Sequence, residues 1–188
     1  MKYIALLGEF TRTFKPHIAT DLALRHSGNA LGTAITGEWV STQDIDDSLF
    51  SRYSGIWVAP GSPYKNLERT LWALEHARTN KVPCFGTCGG FQHMVLEYAR
   101  NVLQYRDAQH AEYDPYASTL FISGLACSLA GREMELKFEN GSIVADIYDQ
   151  PRPQRNIIAT SVWTRAKSDS WRAAGYELVV RTARVKFG

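Results

Sequence analysis

The run Val82-Pro83-Cys84-Phe85-Gly86-Thr87-Cys88-Gly89-Gly90-Phe91-Gln92 constrains this chain more than any other stretch. It reads as a short apolar strand, a glycine-flanked cysteine and the start of a helix. A side chain at so sharp a turn stands clear of the backbone, and glycines on both sides relieve the crowding. The helix points its N-terminus at Cys88, where free N–H groups and the positive dipole end favour a thiolate and any oxyanion beside it. This is how a chain presents a nucleophile. The plain alternative is a small buried thiol, the commonest fate of a free cysteine.

The preceding residues alternate strand and helix. Lys2 to Leu7 predicts an apolar strand, Pro16 to His26 a helix stopped at Ser27-Gly28, and Ala30 to Thr36 a second strand. Asp44 to Tyr53 reads as a short helical connection. Gly55 to Ala59 is a buried strand broken by Pro60-Gly61-Ser62-Pro63. From Tyr64 to Asn80, Leu67, Leu71, Leu74 and Ala77 recur at helical spacing, and Gly90 to Val102 continues as helix. Such alternation predicts an α/β fold with a mostly parallel sheet flanked by helices, and ligands at the carboxyl ends of its strands. Cys88 and the Gly61-Ser62 turn both fall at such ends.

Beyond that helix, Thr119 to Ser123, Glu133 to Phe138, Ser142 to Ile147 and Asn156 to Trp163 read as short antiparallel additions. Gln150 to Gln154 reads as a loop, Ser168 to Ala174 as a helix and Tyr176 to Arg181 as a last strand.

With 188 residues, 45% of them hydrophobic, the chain suits a single domain spanning residues 1–188. A net charge of +2 is too small and scattered to argue for nucleic acid or a membrane surface, so a small-molecule substrate is expected. No apolar run is long enough to span a bilayer, and Met1 to Gly8 is too short for a signal peptide; a cytoplasmic protein is expected. Three cysteines, Cys84, Cys88 and Cys127, suggest reduced thiols. Cys84 and Cys88 lack nearby His or Cys partners, so neither a metal nor a cofactor is expected.

These residues resemble the class I glutamine amidotransferases, and within them the glutaminase domain of CTP synthase. Gly55-Ile56-Trp57-Val58-Ala59-Pro60-Gly61-Ser62 is similar to that domain's strand and glycine loop, and Gly86 to Gln92 to its nucleophile elbow. Glu97 to Val102 and Glu112-Tyr113-Asp114-Pro115 continue the likeness, which covers roughly residues 1–115. Gly61-Ser62-Pro63-Tyr64, the elbow through His93, and His110-Ala111-Glu112 resemble more closely still the stand-alone proteins related to the CTP synthase C-terminal region, some of them selenoproteins. The resemblance implies a flavodoxin-like fold and a glutaminase that passes ammonia to an accepting partner subunit. CTP synthesis by this chain alone is not expected.

Residue by residue, the resemblance implies that Cys88 attacks the glutamine side-chain amide. The backbone N–H groups of Gly89 and Gly61 would receive the oxyanion. Ser62, Gln92 and Glu112 would bind the substrate, with the Glu112 carboxylate suited to its α-ammonium group. The family's base is a histidine in a His-x-Glu motif near the C-terminus, yet the histidines are His17, His26, His76, His93 and His110. The C-terminal catalytic segment is therefore read as missing, with truncation, loss and replacement all open, and activity is expected to be impaired. Arg155 is a weak match for a substrate-binding arginine. His110-Ala111-Glu112 has His-x-Glu spacing, which makes His110 a candidate replacement base, though its place after the elbow helix matches a substrate-contact segment. His93, five residues past Cys88 on the same helix, is read as a packing residue.

Two other classes stay open. Glu9, following the first strand, stands where related cysteine-elbow proteins carry a glutamate that touches the cysteine, which would make a hydrolase, lyase or redox protein. The other is a non-catalytic domain that binds a metabolite and regulates a partner. The bland readings are an ordinary turn for Gly61-Ser62, a polar loop residue for Glu9, and surface groups for Gln92 and Glu112.

Overall fold

The computed structural model describes residues 1–124, 132–135, 137–138, 146, 154–157, 161–163 and 180–181. The chain divides into two compact units, Met1–Leu120 and Phe121–Gly188. The first runs β1 (Lys2–Leu7), α1 (Lys15–Ala30), β2 (Ile35–Val40), a 3-10 turn (Thr42–Asp44), α2 (Leu49–Arg52), β3 (Gly55–Val58), α3 (Leu67–Thr79), β4 (Cys84–Gly86), α4 (Gly89–Asn101) and β5 (Gln109–His110).

In β1 the consecutive residues Ala5, Leu6 and Leu7 are wholly buried. Unbroken rather than alternating burial marks a strand covered on both faces, as in a parallel sheet between helices. The sheet order is β2-β1-β3-β4, every pair parallel. Register sets Leu7 beside both Val40 and Val58, and Val58 beside Gly86. The strands therefore end in one row, and the segments beginning at Gly8, Ser41, Ala59 and Thr87 leave the sheet along a common edge. This is the α/β, mostly parallel architecture that strand-helix alternation predicts.

Two boundaries differ from expectation, and both differences trace to glycine. Ser27-Gly28 does not stop α1: Gly28 stays helical, and a β-carbon there would meet Thr33 O at 3.1 Å and Ile35 Cβ at 3.6 Å. It is a close-approach glycine. The helix ends instead at Gly32, whose φ is +59°, with Thr33 N–H returning to Gly28 O at 2.9 Å. The second strand moves accordingly from residues 30–36 to Ile35–Val40. Gly37 sits within it because a β-carbon there would meet Leu24 Cδ2 at 2.7 Å and Leu6 Cδ1 at 3.0 Å. The remaining helices start or end within a few residues of their expected limits, α3 beginning after Asn66, whose side chain caps Arg69 N–H.

In α3, Leu71, Leu74 and Ala77 are buried as their spacing predicts. Arg78 at its end grips Glu97 of α4, which is only 3% exposed: Nε reaches both carboxylate oxygens (3.2 and 3.1 Å) and a terminal nitrogen reaches Oε1 at 2.7 Å. Asn101 adds a third donor to the same carboxylate.

The second unit carries β6 (Leu120–Gly124), β7 (Arg132–Glu135), β8 (Lys137–Phe138), β9 (Gln154–Ile157), β10 (Ser161–Trp163) and β11 (Val180–Arg181). Antiparallel pairs join β6 to β10, β7 to β9 and β8 to β11. The short antiparallel additions are thus present. The expected strand at 142–147 is described only at Asp146, which is helical, and the expected loop at 150–154 only at Gln154, which begins β9 instead; the helix at 168–174 and Cys127 lie outside the described residues. Among the described residues no helix is long and apolar enough to cross a membrane.

Candidate active site

Cys88 sits between β4 and α4 with φ 52° and ψ −117°, a strained backbone for a residue with a β-carbon, and its side chain is exposed. Three glycines make the turn possible. A β-carbon on Gly90 would strike the Val58 backbone, and one on Gly86 would lie 2.8 Å from both Gly90 C and Phe91 N. One on Gly89 would lie 2.9 Å from Ser62 Cβ and 3.3 Å from Ser62 N. The elbow is thereby pressed onto β3 and onto the loop that follows it.

Hydrogen bonds complete the turn. Thr87 N–H donates to Val58 O at 3.1 Å, Gly90 N–H to Thr87 O at 2.9 Å, and Gln92 N–H to Cys88 O at 3.2 Å. Trp57 Nε1–H holds the Thr87 hydroxyl at 2.9 Å. Cys84, at the start of β4, is a different kind of thiol: burial, aided by the nearby Glu97 carboxylate, pushes it up to about 12.

The facing loop carries Gly61 at φ +105°, Ser62, and a cis Ser62-Pro63 bond. His17, buried in the first turn of α1, accepts Thr11 N–H at Nδ1 (2.9 Å) and donates from Nε2 to Pro60 O (2.8 Å). Beyond the loop, the buried Tyr64 hydroxyl donates to Ala59 O. Burial raises that hydroxyl well above the usual tyrosine value, and Tyr113, Cys88, Glu112 and Glu9 add to the effect. Groups that the sequence places on three different segments thus act on one phenol.

His93 lies beneath the elbow, fully buried. Its Nδ1 donates to Gly89 O at 2.7 Å and its Nε2 accepts the Tyr113 hydroxyl at 2.8 Å, while Tyr113 accepts Tyr64 N–H at 2.9 Å. Burial, with His110 and Arg100 nearby, pulls His93 down to about 4 against the opposing bond to Gly89. Burial likewise pushes Tyr113 up to about 12. The packing role read from His93's place on the helix is one part of this; Tyr64 and Tyr113 were not anticipated.

His110 stacks on His93, with ring centroids 5.2 Å apart. Its Nδ1 accepts Glu112 N–H at 3.1 Å, which leaves the ring proton on Nε2, facing Gln92 Oε1 at 3.1 Å and Glu112 Oε2 at 3.9 Å. Burial lowers its pKa, the Glu112 charge opposing. Gln92 and Glu112 are therefore brought to one imidazole, and both ring nitrogens of His110 are engaged. Glu9 is placed otherwise. Its carboxylate accepts Ser41 Oγ at 2.8 Å, Thr42 N–H at 3.1 Å and Thr42 Oγ1 at 2.5 Å, with Lys65 Nζ at 3.7 Å; Cys88 is not among its hydrogen-bond partners. Burial alone would raise this carboxyl group, but the Thr42 and Ser41 bonds outweigh it and hold the pKa low. Thr42 Oγ1 also accepts Asn66 N–H, so Glu9 joins the segments after β1, β2 and β3.

The sequence assigns no role to His17, Tyr64 or Tyr113: His17 and Tyr113 act through backbone groups of distant segments, and Tyr64 through a carbonyl five residues back that only the turn after β3 brings to it. Arg155 lies in β9. Among the described residues no group of three or more His, Cys, Asp or Glu side chains could hold a metal ion.

Comparison with known proteins agrees with this construction. The model of the class I glutamine amidotransferases matches residues 19–141. CTP synthase of Campylobacter jejuni subsp. doylei is 35% identical over 115 residues, 59% of this chain and 21% of that protein. CTP synthase of Nautilia profundicola is 36% identical over 119 residues, 60% of this chain and 22% of that protein. The chain thus spans about a fifth of the length of these relatives. In structure it resembles the glutaminase domain of Trypanosoma brucei CTP synthase, solved with bound acivicin, at a TM-score of 0.82 and 20% identity over 96% of this chain and 75% of that one. A glutamine amidotransferase from Thermotoga maritima superposes with a TM-score of 0.52 at 10% identity, over 87% of this chain and 63% of that one. With the family model matched over more than half its length, this chain belongs to the class I glutamine amidotransferases, as a domain like the glutaminase domain of CTP synthase.

Proposed function

We propose that this chain is a glutaminase domain in which Cys88 attacks the side-chain amide of glutamine. The observation that carries the reading is the juxtaposition of the strained Cys88 turn with the loop after β3, through the packing of Gly89 against Ser62. The Cys88 sulfur bonds to the amide carbon, and the carbonyl oxygen becomes an oxyanion received by the Gly89 and Gly61 N–H groups. Each such donor is worth about 3 kcal/mol in the transition state. Collapse breaks the C–N bond, and the nitrogen takes a proton and leaves as ammonia. Water then hydrolyses the thioester to glutamate and the free thiol. Ser62, Gln92 and Glu112 bind the amino acid, the Glu112 carboxylate taking its ammonium group. Ammonia passes to an accepting partner subunit. The fold match over 96% of the chain supports treating residues 1–188 as one amidotransferase-like domain.

Turnover by this chain alone is slow, because its buried histidines are committed elsewhere. His17, His93 and His110 each have both ring nitrogens hydrogen-bonded. Ammonia release from glutamine, followed with and without added imidazole, tests the reading. Imidazole is expected to speed release about tenfold or more in the unsubstituted chain and not in Cys88→Ala. Equal release by both proteins would overturn it.

A further inference from the structure

We infer that His17 is a positioning residue that sets the plane of the Pro60–Gly61 peptide, and with it the direction of the Gly61 N–H; this rests on the reading of Gly61 as an oxyanion donor. The ring is 3% exposed, and its tautomer follows from geometry. Thr11 N–H occupies Nδ1, so the ring proton is on Nε2, and it is given to Pro60 O at 2.8 Å. Pro60 O and the Gly61 N–H belong to one planar trans peptide and point in opposite directions, so fixing the oxygen aims the N–H away from His17.

That peptide needs fixing. Gly61 lies at φ +105°, where glycine lacks the steric barrier that keeps other residues from turning over. A β-carbon on it would lie 3.1 Å from His17 Nε2 and 3.4 Å from Phe14 Cε1, which shows how closely the ring backs the loop. The imidazole is itself held by rings: Phe14 meets it edge-on at 4.8 Å, Trp39 lies at 4.6 Å and Phe10 stacks at 5.9 Å. Donation to a carbonyl also polarises its peptide and strengthens the N–H as a donor. His17 thus acts on the oxyanion through one peptide and touches no reacting atom.

The test separates attack on a carbonyl from simple displacement at the same sulfur. The chloromethyl ketone analogue of glutamine gives a carbonyl-derived oxyanion as Cys88 reacts; the S–C bond forms, chloride leaves and the thiol proton goes to solvent. Iodoacetamide alkylates the same thiol by displacement of iodide, with no oxyanion. In His17→Asn, whose amide is too short to reach Pro60, chloroketone labelling is expected to slow about tenfold or more while iodoacetamide labelling changes less than about twofold. His17→Gln, whose amide can reach Pro60 O, is expected to recover most of the loss. An Asn variant that labels like the unsubstituted protein with both reagents overturns the inference, as does a Gln variant no better than Asn. Should unsubstituted Cys88 react no faster with the glutamine chloroketone than with chloroacetone, the glutaminase reading fails. His17 is then judged by the crystal structure of His17→Asn, where a turned Pro60–Gly61 peptide supports the inference and an unmoved one contradicts it.

Discussion

Ser62 lies against the α-carbon of Gly89, so close that a β-carbon on Gly89 would stand 2.9 Å from Ser62 Cβ. The obstructing residue is on a loop, which can move aside at moderate cost in stability but not without disturbing the facing Gly61. Gly89→Ala is therefore expected to reduce the reaction of Cys88 with the glutamine chloroketone by about tenfold or more, with iodoacetamide little affected. A variant with unchanged chloroketone reactivity would separate the loop from the reactivity of Cys88.

Gly90 is constrained differently, because its missing side chain faces backbone. A β-carbon there would lie 2.7 Å from Val58 C and 3.1 Å from Val58 Cβ, inside the central sheet. Gly90→Ala is expected to cost about 3 kcal/mol or more in urea unfolding. Gly32→Ala provides the contrast: φ is +59° but nothing lies within 4 Å, so only backbone strain of about 1 kcal/mol is expected. Equal costs at the two positions would contradict the packing of the elbow on β3.

Much of this was legible in the sequence. Glycines flanking Cys88 announced the elbow because a strained turn pressed onto a strand tolerates no side chain there, and the alternation of strand and helix announced a sheet covered on both faces. Gly28 misled because a glycine that lets α1 approach β2 looks the same as one that ends a helix. β5 escaped notice because two residues carry no periodicity. The contacts of Glu9 were hidden as well: a carboxylate after the first strand suggests a reacting group, and only the register of β1 with β2 brings Ser41 and Thr42 to it.

The Arg78–Glu97 pair joins α3 to α4 through a buried carboxylate that also takes a hydrogen bond from Asn101. Arg78→Met takes the ion-pair partner from Glu97, whose side chain is 3% exposed beside the arginine, and is expected to cost about 3–5 kcal/mol. Changing Glu97→Leu as well should recover much of that loss. A double variant as unstable as the single one would show that the arginine acts through packing alone.

Acid should loosen the region beneath the elbow. His93 takes a proton only at about 4 in the folded chain, against an ordinary 6.5 when unfolded. Between these values the unfolded state binds more protons, so stability falls as pH drops from about 6.5 to about 4, by about 3 kcal/mol for His93. Burial lowers His110 as well, which acts in the same direction. Urea unfolding at pH 7 and pH 4.5 is expected to show a smaller difference in His93→Gln than in the unsubstituted protein; equal differences would rule out His93 as a source.

The two described cysteines should differ sharply toward alkylation. Cys84 is held as a thiol by burial, up to about 12, whereas Cys88 is exposed. Peptide mapping after brief iodoacetamide treatment of the native protein is expected to find Cys88 modified and Cys84 unmodified until the protein is unfolded.

The central claim is that Cys88 forms a bond to the side-chain carbonyl of glutamine. Acid-quenching the protein with glutamine in the presence of imidazole, followed by mass mapping, tests it most directly. One glutamyl group on Cys88, matched by one ammonia released and absent from Cys88→Ser, is the predicted result. No adduct on Cys88, or ammonia release that survives Cys88→Ser, would contradict it.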